Sequence, residues 1–95
     1  MSMAAHTTRV EAFCLGPLVL EVATHPGERE ALERYRLRLR PQSRGEFPGI
    51  DPGQAAQSER IRRMHVALDR LADREIEPHE FVQQLRRHLR HREVA

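Results

Sequence analysis

Ninety-five residues carrying 16 basic and 14 acidic side chains, for a formal net charge of +2, bound the chain to one small domain of high but balanced charge. With only Phe13, Tyr35, Phe47 and Phe81 as aromatics and no Trp, the core must be thin and aliphatic; the basic residues are all Arg and evenly spread, and with the charge near balance composition alone does not imply a nucleic-acid partner. A lone Cys14 excludes an internal disulfide and points to a reducing cytoplasm, and the longest apolar stretch, Ala12–Leu20, is too short to cross a bilayer, so no membrane partner is expected.

Residues 1–7 read as a flexible tail and 8–95 as one domain. The β-forming stretch 8–25 is punctuated by Gly16-Pro17. A two-residue turn there pairs Leu15 with Leu18, Phe13 with Leu20 and Glu11 with Val22. This β-hairpin sets Phe13, Leu15, Leu18, Leu20 and Val22 on one face, the core side. The smaller Val10, Ala12, Cys14, Val19 and Ala23 take the other.

Residues 26–40 follow. Pro26 suits a first helical turn, good helix formers dominate, and Ala31, Leu32, Tyr35 and Leu39 make an apolar stripe, so a middle helix is expected. The rival is a third strand, because "YRLRLR" alternates. Its solvent face would be a ladder of Arg34, Arg36, Arg38 and Arg40. Residues 41–53 hold the Pro/Gly connector, with Phe47 and Ile50 as its apolar pins.

Residues 54–92 carry a helical hairpin. Ile61, Met64, Leu68 and Leu71 step by three, four and three, one stripe at about 100° per residue. Phe81, Val82, Leu85 and Leu89 form the mate, with Pro78 opening the second helix and a short link that makes the two antiparallel. The fold expected is therefore α+β and mostly helical: an N-terminal β-hairpin, one middle helix and a C-terminal antiparallel helical hairpin. A two-helix layer leaves one side of its stripe without cover, so Ile61, Met64, Leu68, Leu71, Phe81, Leu85 and Leu89 form the expected interface, with a homodimer as its simplest product.

Within this hairpin, Leu68–Leu89 resembles the SHOCT domain: "IEPHEF" is similar to its "IxxxEF" turn, with Leu89 at a matching later position. The resemblance implies an oligomerisation or docking hairpin. It covers under a quarter of the chain, and Arg74 stands where that family usually has Gly, Leu85 where it usually has a basic residue, and Leu71 one position off.

In "LRRHLRHREVA", six of the seven residues from Arg86 to Arg92 are Arg or His. Cations at a helix C-terminus suit the macrodipole, and Arg86, Arg87, Arg90 and Arg92 are the candidate phosphate contacts. "HEFVQ" at His79 lacks the second His of a zinc-peptidase motif, and His65, His88 and His91 form the one place to look for Zn²⁺ or Ni²⁺, without a completing carboxylate or thiolate. No nucleophile elbow, phosphate loop or paired-carboxylate site is present, so neither a catalytic role nor a cofactor is expected. The reading is a small cytoplasmic, non-catalytic adaptor, regulator or accessory subunit that binds a protein partner through its helical hairpin. The alternative is a nucleic-acid-binding regulator using the Arg-rich C-terminal helix.

Overall fold

The computed structural model describes residues 8–25, 34–55 and 58–94. In chain order these form β1 (Arg9–Leu15), β2 (Leu18–His25), β3 (Arg34–Pro41), α1 (Pro52–Ala55), α2 (Glu59–Ala72), α3 (Pro78–His88) and β4 (His91–Val94). The strands make one antiparallel sheet in the order β3-β2-β1-β4.

β1 and β2 pair as Leu15 with Leu18, Phe13 with Leu20 and Glu11 with Val22. Gly16 takes φ 67 at the first turn position and proline fixes a negative φ at the second, the pattern of a type II′ turn whose twist matches the flanking strands. Directly opposed residues share a face, so the register sorts the whole sheet. Phe13, Leu15, Leu20 and Val22 pack with Ile61, Met64, Ala67, Phe81, Val82, Leu85 and Leu89 in one core, and Tyr35, Leu37, Leu68, Leu71 and Ile76 close around it. On the opposite face Ala12, Cys14 and Val19 lie under Phe47, with Ile50 and Val94 beside them. β1 is thus buried on both sides.

The mostly helical expectation is overturned, since strands and helices hold about equal shares. The middle helix over 26–40 is not formed at its C-terminal half: 34–41 is β3, paired along its length with β2, while residues 26–33 lie outside the described residues. The period-two alternation of Tyr35, Leu37 and Leu39 with Arg matches a half-buried sheet edge, and that packing outweighs the weak helix preference of the individual residues. The helical hairpin is likewise shorter than 54–92. Its second helix ends at His88, Leu89 turns extended at φ −114 and ψ 149, and His91–Val94 joins the free edge of β1. The covering layer for the hairpin's apolar stripe is the sheet of the same chain, not a second copy.

The connector is a strap across the second face. Glu46, with 2% of its side chain exposed, accepts from Arg40 of β3 at 2.8 Å and from Arg92 of β4 at 3.5 Å, so one carboxylate ties both edge strands. The backbone N–H of Ser43 donates to it as well, at 3.0 Å. The Arg40 hydrogen bonds hold its carboxyl down to about 2, against the opposing effect of burial. A carboxyl depressed in the folded state stabilises above its ordinary value of 4.5, and that stabilisation is lost as pH falls from there toward 2. Urea unfolding at stepped pH is expected to show this acid loss, with a shallower slope in Glu46→Gln.

The turn between α2 and α3 is closed by Arg74 N–H to Leu71 C=O at 3.0 Å and Glu75 N–H to Arg70 C=O at 2.8 Å, the two bonds of a Schellman motif. Arg74 occupies its left-handed position at φ 59, where glycine carries no steric cost. Arg74→Gly is expected to raise stability by about 1 kcal/mol, seen as a higher urea midpoint at unchanged slope.

Candidate docking groove at the β3 edge

β3 ends the sheet on one side, and among the described residues no strand pairs with its outer edge. On its helix-facing side Tyr35 and Leu37 are half-buried and Leu39 is 45% exposed. Across from them stands the α2–α3 turn. The hollow between has a volume of about 510 Å³, floored by Leu37, Leu71, Ile76, Phe81 and Val82 and rimmed by Tyr35, Arg74, Glu77 and Pro78. The Schellman turn and the proline start of α3 fix this wall, and the edge strand fixes the other. The Tyr35 hydroxyl lies 3.4 Å from His79 Nδ1, joining the two walls at one end.

On the opposite side of the same strand lies the arginine ladder. Arg40 is held by Glu21 at 3.2 Å and by Glu46, whereas Arg34, Arg36 and Arg38 are exposed and form no ion pair with a described carboxylate. Among the described residues β3 therefore presents three surfaces: an apolar row, a backbone edge at Leu37 and Leu39 that no described strand pairs, and a cationic row.

The residues singled out from sequence fall elsewhere. Ile61, Met64, Phe81, Leu85 and Leu89 are buried in the main core, with Leu68 and Leu71 partly so; only Leu71 and Phe81 of that set reach the groove. The four tail arginines do not share one surface. Arg86 forks onto the buried Glu11, with Nη2 to Oε1 at 2.7 Å and Nε to both oxygens at 3.2 Å. Arg90 donates to the Pro48 carbonyl at 3.2 Å, Arg92 bonds Glu46, and Arg87 is exposed on α3. A second hollow of about 360 Å³ between α2 and α3 is lined by Arg62, Arg63, Arg70 and His88, with Glu59 pairing Arg63 at 3.9 Å.

Burial pushes the Glu11 carboxyl up, and the hydrogen bonds and charge of Arg86 more than offset this, leaving it below the ordinary range. Burial pushes the Cys14 thiol up, partly offset by the Gln42 amide, which donates to Sγ at 3.4 Å. A raised thiol is a poor nucleophile at neutral pH. His91 leaves the helix and tilts against Phe13 with ring centroids 5.0 Å apart, so it does not stand one turn beyond His88. Among the described residues no group of three His, Cys, Asp or Glu is placed to hold a metal. Among them, too, no helix is long and apolar enough to cross a membrane.

The groove was not foreseen in the sequence, although its signal was there: the alternation in "YRLRLR" that marks an amphipathic edge strand. No protein-family model, curated protein or solved structure matches the chain.

Proposed function

We propose that the chain is a small non-catalytic protein-binding module, an adaptor, regulator or accessory subunit, that receives its partner in the groove between the β3 edge and the turn of its helical hairpin. One observation carries the reading: Tyr35 and Leu37 of β3 form one wall of a hollow of about 510 Å³, and the exposed Leu39 continues the same apolar row beyond it, on an edge that no described strand pairs. Concave surfaces with an apolar floor and a few polar groups at the rim are where proteins bind. The raised Cys14 thiol fits a structural role for that side chain. Cytoplasmic residence belongs to the same reading and rests on the single buried cysteine.

The hairpin contributes its turn to this surface, not its stripe. Because the sheet covers the stripe, the argument for a homodimer built on it no longer holds, and the reading takes a different protein as the partner. The nucleic-acid alternative loses its basis in the tail, where Arg86, Arg90 and Arg92 serve acceptors of the chain itself.

The test is a nuclease-treated pull-down from the native host with three baits: the parent chain, Leu39→Glu on the apolar row of β3 beside the groove, and Val66→Glu, an equally exposed apolar position on α2. The expected result is a protein held by the parent and by Val66→Glu and released by Leu39→Glu. The same set of proteins on all three baits contradicts the groove as the docking surface.

A further inference from the structure

The three surfaces of β3 narrow the occupant of the groove, and this step rests on the reading above. An edge strand with unpaired N–H and C=O groups is a template for another strand. A second copy is disfavoured by charge. If two β3 strands paired antiparallel with their helices on the same side of the sheet, Arg36 and Arg38 of one would stand opposite arginines of the other, and like charges directly opposite destabilise. A slip of one residue turns one sheet over and sets arginines against the apolar row.

The same arrangement complements a strand of opposite pattern. The geometry points to an extended acidic segment of another protein, carboxylates alternating with apolar side chains, that adds to β3 as a new outer strand. Its backbone bonds the edge that no described strand pairs, its apolar side chains lie along the row of Leu37 and Leu39 and reach the groove at Leu37, and its carboxylates meet Arg36 and Arg38, which have no described ion-pair partner. Single-stranded nucleic acid fits less well. The arginine side of β3 carries no aromatic ring on which bases stack, since Tyr35 belongs to the groove side and Phe47, on the strap, is buried against Ala12, Cys14 and Val19.

The experiment is fluorescence anisotropy of a labelled, end-capped peptide of alternating Glu and Val, matched to the eight residues of β3, titrated with the full chain. Saturable binding that weakens with salt is expected. Arg36→Glu/Arg38→Glu, two exposed positions whose change is expected to leave the circular dichroism unaltered, is expected to weaken it by about tenfold or more. N-methylating every second peptide amide is expected to abolish binding for the set facing β3 and to spare it for the other set, because alternate amides of a strand point to opposite sides. An acidic amphipathic helical peptide and oligothymidylate run in parallel. If the helical peptide binds in a manner sensitive to Leu39→Glu while the extended one does not, the groove is a docking surface but strand addition is wrong. Peptide binding that is indifferent to amide methylation also overturns strand addition. If only oligothymidylate binds, or no peptide does, this inference and the groove's role in protein binding both fall.

Discussion

Replacing Phe81 by Ala is expected to lower the unfolding free energy by about 3–5 kcal/mol, the cost of removing a large ring from a packed interior and leaving part of its volume empty. Phe81 has no exposed surface and lies in the core between α3 and the sheet, where it also forms the back of the groove. A small domain has only about 5–15 kcal/mol of total stability, so the variant should be marginal at room temperature. Urea unfolding followed by circular dichroism measures the loss, and Phe81→Leu, which keeps more of the volume, should retain most of the stability. A cost for Phe81→Ala below about 1 kcal/mol would mean that the hairpin does not lie on the sheet as described.

The second large effect concerns the ion pair of Glu11 and Arg86, and it should be asymmetric. Glu11 keeps 4% of its side chain exposed and Arg86 keeps 30%. In Glu11→Ala, Arg86 is able to turn toward water. In Arg86→Met, Glu11 is left with the ring of His91, 3.8 Å away, and the charge of Arg9, while its main partner is gone. Removing one partner of a buried pair costs about 3–5 kcal/mol, and Arg86→Met should sit near the top of that range at pH 7. Without Arg86, burial, the largest single influence on this carboxyl, is expected to push it above its ordinary value. The stability of that variant should therefore fall as pH rises through 4.5, the reverse of the parent's dependence on this group. Replacing both by apolar residues, Glu11→Leu/Arg86→Met, should recover most of the loss. Equal costs for the two single variants at pH 7 would show that Glu11 is not the more deeply buried partner.

How much of this architecture can be read from the sequence depends on the range of the interactions that set it. The β1–β2 register follows from Gly16-Pro17 and the alternation around it, because turn chemistry and face burial are local and agree. The stripes of α2 and α3 are equally plain, but what covers them is not. A periodic stripe records that a surface is buried and does not name the element that buries it, and here the sheet takes the place given to a second copy. At 34–41 two local signals conflict, helix-forming residue types and period-two alternation, and the long edge of β2 decides between them. β4 has almost no signal of its own: "HREV" continues a charged run that suits a helix end, and it becomes a strand because β1 offers an unpaired edge. Glu11 looks like a polar boundary of an apolar stretch. Its partner Arg86 lies 75 positions away, and only the folded chain shows that the tail arginines serve internal acceptors.

Amide hydrogen exchange across Arg34–Arg40, with and without the alternating Glu/Val peptide, tests most directly whether β3 is an open edge strand that receives another strand. In the free protein the amides of Arg36 and Arg38 should be protected through their bonds to β2 and those of Leu37 and Leu39 should exchange rapidly; on saturation with the peptide the rapid pair should slow by at least about tenfold while the amides of α2 stay as they were. Uniformly rapid exchange across 34–40, full protection of the whole segment in the free chain, or no slowing with peptide bound would contradict the account.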